Sequence, residues 1–224
     1  MATTLTNDTA FSARFWDKTA KKYAASPIRN QEAYEKTLER TIENLGPEDQ
    51  VLELGCGTGS TALLLNGKVK SYLATDFAPG MISIAKEKLA AEEAESKTHE
   101  GLGFLAADAF DDRVRLSSAE ADGYDAILAF NFFHLVENPE ELLARVRGLL
   151  KPGGLYISKT VCLKKRAWLF GPLIKVMQLF GKAPHVNMLS FHSLEQSIRD
   201  AGFEIIETGT YPAPYSRFVV ARKV

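Results

Sequence analysis

The chain has 224 residues, of which 46% are hydrophobic and 25% charged, and its 27 basic and 28 acidic residues give a formal net charge of −1. This length and composition predict one α/β-type domain over residues 1–224, and they exclude a general electrostatic attraction to nucleic acid or to anionic membranes. The two cysteines, Cys56 and Cys162, favour a reduced protein of the cytoplasm. The start of the chain lacks a signal-peptide pattern, and no apolar stretch is long enough to predict a transmembrane helix.

Helix-like and strand-like patterns alternate along the chain. The predicted helices cover 11–25 and 31–45, begin again at Pro79 and after Asn138, and end with 193–201. The predicted strands cover 50–55, 70–76, 102–108, 124–130, 154–161, 203–209 and 217–223. This alternation predicts a parallel sheet with helices on both faces. The last two strands are separated only by a short loop, so they form a hairpin that makes one strand at the end of the sheet antiparallel.

The helix that follows Asn138 carries the clearest boundary signals. Asn138 and Glu141 have the spacing of a capping box, and Pro139 suits the first helical turn. The sequence Pro-Gly-Gly at 152–154 is expected to end the helix.

A glycine-rich turn, "VLELGCGTGS", follows the first predicted strand, with glycines at 55, 57 and 59. A turn of this kind before a helix brings backbone N–H groups and a positive helix end to one place, which suits a nucleotide or a carboxylate. The glycine spacing departs from the dinucleotide fingerprint, and the Gly-Lys-Ser/Thr ending of a phosphate-binding loop is absent.

Acidic residues end the next two predicted strands. Asp76 follows the glycine turn by about 20 residues, the distance at which an acid accepts hydrogen bonds from ribose hydroxyls. Asp108 ends the third strand. Because the carboxyl ends of parallel strands meet at one edge of the sheet, the turn and the two acids predict a nucleoside-shaped site.

These segments, taken in order, are similar to a known family. "ELGCGTG", "TDFAPGMI", "AADAF" and "YDAILAFNFFHLVENPEELLARVRGLLKPGG" resemble class I S-adenosylmethionine-dependent methyltransferases, especially small-molecule enzymes of the ubiquinone and menaquinone type. "FWDKTAKKYAASP" resembles the N-terminal segment that caps their cofactor. The resemblance implies a Rossmann-like, mostly parallel seven-stranded α/β sheet with a terminal antiparallel strand. It also implies an N-terminal cap (1–46), an inserted substrate lid (162–192), and S-adenosylmethionine as cofactor with S-adenosylhomocysteine as product.

The resemblance also implies roles for single residues. Gly55 and Gly57 would approach the methionine part of the cofactor, Asp76 would hold both ribose hydroxyls, and Asp108 would accept from the adenine amino group. The other implied cofactor-binding residues are Trp16, Tyr23, Glu53, Cys56, Gly59, Phe77, Met81, Ala109, Phe110, Phe130 and Asn131. Structural roles are the alternatives: tight packing for the glycines, a helix cap for Asp76, a solvated turn for Asp108, and plain core packing for the apolar residues.

His134, in "FNFFHL", is the candidate catalytic residue. It follows the fourth strand, where related small-molecule enzymes often have a histidine near the methyl group, and it would act as a base or orient the acceptor. The alternative is a histidine that only makes a local hydrogen bond. No cluster of additional acids suggests a metal site, so none is predicted.

The segment 162–192 is rich in large apolar residues and in lysine and arginine. It is expected either to close the pocket as a lid or, through 163–182, to lie on an anionic bilayer. An apolar lid favours a small apolar or aromatic acceptor. The alternatives are a methyltransferase acting on a membrane-associated lipid or quinone, a nucleic-acid methyltransferase, a nicotinamide-dependent dehydrogenase, and a cofactor-binding protein without turnover. Enzymes that methylate amino groups of DNA or RNA have an Asn-Pro-Pro-aromatic signature at the matching place. Residues 131–134 read Asn-Phe-Phe-His instead, which argues against a nucleic-acid substrate.

Overall fold

The computed structural model describes residues 7–116, 123–180, 182–212 and 214–224. The first six residues of the expected cap and Gly181 of the expected lid lie outside this part of the chain. The helices are α1 (Asn7–Ala24), α2 (Gln31–Ile42), α3 (Ser60–Leu65), α4 (Pro79–Ala94), α5 (Pro139–Leu149), α6 (Ala167–Leu179) and α7 (Phe191–Asp200). The strands are β1 (Gln50–Leu54), β2 (Ser71–Asp76), β3 (Leu102–Ala106), β4 (Tyr124–Phe130), β5 (Leu150–Val161), β6 (Phe203–Gly209) and β7 (Ser216–Lys223).

The seven strands form one sheet in the order β3-β2-β1-β4-β5-β7-β6. All neighbouring pairs are parallel except those of β7, which runs antiparallel to both β5 and β6. The predicted fold is therefore confirmed, including the hairpin between the last two strands. Because β7 lies between β5 and β6, the edge of the sheet is formed by β6.

The order of the strands reverses between β1 and β4, since β1 pairs with β2 on one side and with β4 on the other. In an open α/β sheet, ligands bind outside the carboxyl ends of the strands at such a reversal. The topology thus places the candidate site above the ends of β1 and its neighbours.

Apolar residues alternate along the central strands, so each face of the sheet has its own core. Leu52 and Leu54 of β1 belong to a core that includes Leu142 of α5 and Leu194 of α7. Val51 of β1 belongs to the opposite core, together with residues of α3 and α4. Both faces are therefore covered by helices, as the alternation of elements predicts.

Three predicted boundaries differ from the structure. Strand β5 begins at Leu150 instead of Gly154, because a register irregularity between β4 and β5 accommodates the Pro-Gly-Gly segment inside the strand. Helix α7 begins at Phe191, since Ser190 and Ser193 form a reciprocal capping box there. The capping box predicted for α5 is wrong: the Asn138 amide donates to the Glu141 carboxylate at 3.4 Å and makes no hydrogen bond to the helix backbone.

Candidate functional site

A cavity of about 460 Å³ opens at the carboxyl ends of β1, β2 and β4. Its volume lies in the range of small-molecule sites in proteins, roughly 300–1,000 Å³. Its wall is built from segments that are far apart in the sequence, from α1 to the connection between α6 and α7. The fold thus brings the predicted site residues to a single concave surface.

The glycine turn forms one wall of this cavity. Gly55 and Gly57 line it with positive φ angles of 72° and 55°, a conformation that glycine adopts without strain. A Cβ atom on Gly55 would lie 2.4 Å from the Phe132 ring, whereas one on Gly57 would meet only the Tyr23 ring, at 3.8 Å. The open space beside the Gly57 backbone is therefore available to a ligand.

The third glycine has a different task. Gly59 precedes α3 with φ of 74°, and it does not line the cavity. A Cβ atom there would lie 2.7 Å from the Phe104 ring and 2.8 Å from the Ala85 side chain. Gly59 thus allows α3 and α4 to approach closely, which is the packing role that the sequence left open for it.

Asp76 ends β2 and its carboxylate lies on the cavity wall. One oxygen, Oδ2, accepts the Gly57 N–H at 3.0 Å, and Oδ1 accepts the Ala78 N–H at 2.9 Å. Burial raises the pKa of Asp76 to about 6, although these two hydrogen bonds oppose the shift. A single carboxylate therefore fixes both the glycine turn and the start of α4, and its remaining lone pairs are left for a ligand.

Asp108 occupies the corresponding position after β3. Its Oδ1 accepts the Phe110 N–H at 2.9 Å, and burial raises the pKa of the carboxyl group. Ala109 and Phe110 line the cavity beside it. The arrangement presents a carboxylate next to an aromatic ring, which suits a flat heterocycle with an amino group.

Glu53 and Cys56 lie beneath the turn and not on the cavity wall. Glu53 is fully buried in β1 and accepts the Tyr72 hydroxyl at 2.9 Å. Burial raises its pKa to about 7, the Tyr72 hydrogen bond opposes this, and nearby Asp76 adds to it. Cys56 is also buried, and its N–H donates to the Thr75 carbonyl at 2.9 Å. The structure thus gives both residues a supporting position under the site.

Two aromatic side chains of α1 cover the cavity. Trp16 and Tyr23 both line it, with their ring centroids 6.0 Å apart and the planes nearly perpendicular. Helix α1 is held against α4 by Asp17, whose Oδ1 accepts the Gly80 N–H at 2.6 Å. The N-terminal helix therefore forms part of the site.

The remaining predicted contacts come from β4 and from the start of α4. Phe77 and Met81 line one side, while Phe130 and Asn131 line the end of β4. Asn131 has a φ of 55°, which asparagine tolerates better than most residues, and its N–H donates to the Lys159 carbonyl at 2.7 Å. This turn directs the chain after β4 across the cavity.

Sequence reasoning missed a second group of wall residues. Most of them lie between β4 and the start of α5, but Pro184 comes from the connection between α6 and α7. The complete set of lining residues not predicted is Ser12, Leu54, Thr75, Ala107, Phe132, Leu135, Val136, Glu137, Asn138, Glu141 and Pro184. The position of 132–138 just beyond the carboxyl end of a central strand was a signal that could have identified them.

Residues 28–208 match the family model described as "Methyltransferase domain". The match covers well over half of the chain. The chain belongs to this methyltransferase domain family.

Individual relatives of the methyltransferase domain differ in their named acceptors. The chain is 28% identical over 188 residues to malonyl-[acyl-carrier protein] O-methyltransferase of Paenibacillus sp. (strain JDR-2), covering 79% of this chain and 65% of that protein. It is 27% identical over 161 residues to demethylmenaquinone methyltransferase of Leptospira interrogans, covering 69% of this chain and 61% of that protein. The chain therefore spans slightly less than two thirds of the length of these relatives.

Solved structures show the same fold at low sequence identity. The [4+2]-cyclase SpnF superimposes with a TM-score of 0.73 and 16% identity, covering 97% of this chain and 96% of that one. Magnesium protoporphyrin IX methyltransferase from Synechocystis PCC 6803 with bound S-adenosylhomocysteine gives a TM-score of 0.68 and 18% identity, covering 97% of each chain. Since one of these proteins is named a cyclase, the fold alone does not specify the reaction.

His134 is a sequence neighbour of residues that line the cavity, but it does not line the cavity itself. It lies in a short 3₁₀ turn (Phe133–Leu135). Phe132, which precedes the turn, and Leu135, three residues later, both line the wall. Burial lowers the pKa of His134 to about 4, and its Nδ1 is buried without a hydrogen-bond partner among the described residues. At neutral pH the imidazole is therefore uncharged.

The expected lid contributes little to the cavity in this structure. Of the described residues between 162 and 192, Pro184 alone lines the wall, and α6 has no buried residue. The apolar residues of α6 therefore do not close the pocket.

Metal-binding groups and membrane-spanning helices are both absent from the part of the chain that the structure describes. Within the described residues, no three histidine, cysteine or acidic side chains are grouped so that they could hold a metal ion. No helix in the same part of the chain is long and apolar enough to span a membrane.

Proposed function

We propose that this methyltransferase domain transfers a methyl group from S-adenosylmethionine to a small acceptor with an apolar or aromatic body. The observation that carries the proposal is the convergence of Gly57, Asp76 and Asp108 on one cavity. The open space beside the Gly57 backbone and the two carboxylates match the methionine, ribose and adenine parts of that cofactor. The match to the family supports the same reaction.

The proposed contacts follow from which atoms remain available. Asp76 would accept both ribose hydroxyls with lone pairs not used by Gly57 and Ala78, and Asp108 would accept the adenine amino group beside Phe110. The other wall residues proposed to contact the cofactor are Trp16, Tyr23, Gly55, Phe77, Met81, Ala109, Phe130 and Asn131. Glu53, Cys56 and Gly59 would support the site from behind the wall.

The acceptor end of the cavity is the region after β4. Phe132, Leu135, Val136 and Pro184 give this part of the wall apolar surface, which supports an acceptor with an apolar or aromatic body. Glu137, Asn138 and Glu141 line the same part and add polar groups. His134 is proposed to orient the acceptor loop rather than to act as a base, since a group with a pKa of about 4 is a weak base at neutral pH.

The proposed reaction is an in-line displacement at a sulfonium methyl group. The bound cofactor supplies the activated methyl group, and the accepting atom of the acceptor displaces the thioether. The protein contributes position and exclusion of water. Asp76 and Asp108 would fix the nucleoside, while Trp16 and Phe132 add aromatic surface to the wall. An amine or thiolate acceptor needs no base in this arrangement, whereas a hydroxyl acceptor does.

Transfer of a labelled methyl group from S-adenosylmethionine into a cell extract tests the proposal. Label in the organic fraction supports an apolar acceptor, including a membrane-associated lipid or quinone. Label in macromolecules would replace the small acceptor with a nucleic acid or a protein. An Asp76→Ala variant assayed in parallel separates transfer by this site from background.

A second candidate function is cofactor binding without methyl transfer. The fold is shared with a protein named a cyclase, so the fold by itself does not require methyl transfer. Tight binding of S-adenosylhomocysteine together with no labelled product in any fraction would support this candidate. We also place the protein in the cytoplasm, which the unpaired Cys56 and Cys162 support.

A further inference from the structure

Helix α6 presents its apolar residues to the outside. Three side chains are almost fully exposed: Trp168 at 77%, Leu179 at 83% and Phe180 at 72%. With successive residues about 100° apart, the exposed apolar residues form one stripe along the helix. This outer stripe consists of Trp168, Leu169, Pro172, Leu173, Val176, Leu179 and Phe180. A surface helix of a globular protein normally shows the opposite arrangement, with its polar face outward.

The inner side of α6 is attached to the rest of the domain. Gln178 donates from Nε2 to the Pro184 carbonyl at 2.8 Å, and the Lys182 N–H donates to the Met177 carbonyl at 2.8 Å. At the other end, the Lys164 N–H donates to the Leu189 carbonyl at 2.9 Å. These bonds tie the ends of α6 to the segment that follows it. Phe170, Ile174 and Met177 are only partly exposed and lie on the side of the helix away from the outer stripe, so the outer stripe is a defined surface.

Basic residues accompany the outer stripe without any acidic neighbour. Segment 163–182 has a charge of +5, which leaves −6 for the rest of the chain, and no aspartate or glutamate occurs between 142 and 194. The five cations are Lys164, Lys165, Arg166, Lys175 and Lys182. The Arg166 guanidinium lies 4.9 Å from the centre of the Tyr215 ring.

We propose that α6 and the preceding basic turn, Lys164–Arg166, dock on an anionic phospholipid bilayer. The outer stripe would enter the boundary between headgroups and acyl chains, and the cations would pair with lipid phosphates. A bilayer has an apolar interior next to anionic headgroups. The apolar interior would cover the outer stripe, and the headgroups would pair with the adjacent cations. Docking of this kind would not require methyl transfer.

Two other occupants fit the surface less well. A two-fold dimer through α6 would place five cations against the same five cations, and like charges facing each other are unfavourable. An acidic protein would match the charge, but interfaces between proteins carry about one hydrogen bond per 100–200 Å². The outer stripe offers only the Trp168 indole as a hydrogen-bonding side chain.

Docking in this way would bring the cavity close to the membrane. Pro184 both anchors α6 and lines the cavity. Asn187, three residues later, donates from its N–H to the His134 carbonyl at 2.7 Å and from its side chain to the Val136 carbonyl at 2.6 Å. A short, hydrogen-bonded connection therefore links the docking helix to the acceptor end of the cavity.

Vesicle flotation with the full chain tests the proposal. We expect the protein to float with phosphatidylcholine vesicles that contain phosphatidylglycerol, and to stay behind with phosphatidylcholine alone or in high salt. Lys164→Gln combined with Lys165→Gln should weaken partition roughly 30-fold, from about 1 kcal/mol per charge. Trp168→Ser combined with Leu179→Ser should weaken it at least tenfold, and both positions are too exposed for the change to disturb the core.

Matched control variants lie outside segment 163–182. Lys68→Gln with Lys70→Gln removes two exposed charges, and Leu64→Ser removes an exposed apolar side chain, so neither should change flotation. Failure of the wild-type chain to bind anionic vesicles at low salt would overturn the proposal. The proposal would also be overturned if the protein formed a dimer that the Leu179→Ser change abolished. Binding to an acidic carrier protein without binding to vesicles would overturn it as well.

Discussion

Replacing Asp76 by alanine tests the central contact of the proposed cofactor site. The carboxylate would accept two ribose hydroxyls, and a hydrogen bond to a charged group contributes a net 1.5–3 kcal/mol. Losing both should therefore weaken binding of S-adenosylhomocysteine by about 3 kcal/mol or more, which is roughly a 100-fold or larger rise in Kd. The product is the better probe because it cannot react.

The same change should have little effect on the stability of the empty protein, because two effects oppose each other. Gly57 and Ala78 lose the acceptor of their N–H groups, which costs about 2 kcal/mol once water from the open cavity replaces part of the interaction. Against this, the buried carboxylate has a pKa of about 6, so keeping it ionised at neutral pH destabilises the fold by about 3 kcal/mol. We therefore expect the free energy of unfolding to change by about 1 kcal/mol.

Isothermal titration calorimetry and urea unfolding measure the two quantities separately. Asp125→Ala is a matched control: Asp125 also accepts a backbone N–H, that of Gln50 at 2.9 Å, and pairs with Lys151 at 2.7 Å, but it lies at the opposite end of the sheet. It should leave the Kd unchanged. A Kd for Asp76→Ala within threefold of wild type would refute the ribose assignment.

Three further predictions concern the same region. Affinity for S-adenosylhomocysteine should fall roughly tenfold per pH unit below about pH 6, because protonation of Asp76 removes an acceptor; the profile of the alanine variant should lack this slope. Gly59→Ala should lower the free energy of unfolding in urea by about 2 kcal/mol or more, from its positive φ and the close Phe104 ring, whereas Gly57→Ala should lower it by about 1 kcal/mol and weaken product binding. His134→Ala should leave the Kd within about twofold and reduce turnover roughly tenfold, and unchanged turnover would eliminate it from the reaction.

The architecture could be predicted from the sequence because the period of the apolar residues sets each element and the order of elements sets the sheet. The hairpin of β6 and β7 was predictable because no helix separates them. The position of β7 between β5 and β6 could not be predicted from local sequence patterns, because strand order at the sheet edge depends on contacts between residues far apart in the sequence. The predicted start of β5 at Gly154 was wrong for a similar reason. The register with β4 determines where pairing begins, and β5 pairs from Leu150.

The site was partly predictable for a physical reason that also explains the errors. Asp76 and Asp108 end neighbouring parallel strands, so the topology alone places them at one cavity. Spacing could not tell which glycine faces the cavity, and Gly59 faces the Phe104 ring instead. His134 lies in a 3₁₀ turn whose three-residue period brings Phe132 and Leu135 to the wall. Pro184 enters from a distant segment that carries no local signal.

The attachment of α1 has a consequence for how the domain opens. Ala20, Ala78 and Met81 form a small apolar cluster with Trp16, separate from the two cores on the faces of the sheet. Detaching α1 therefore breaks this cluster and the Asp17 hydrogen bond to Gly80 while leaving both cores intact. Such an opening requires much less free energy than global unfolding, so the backbone amides of α1 should exchange with deuterium well before those of β1 and β4.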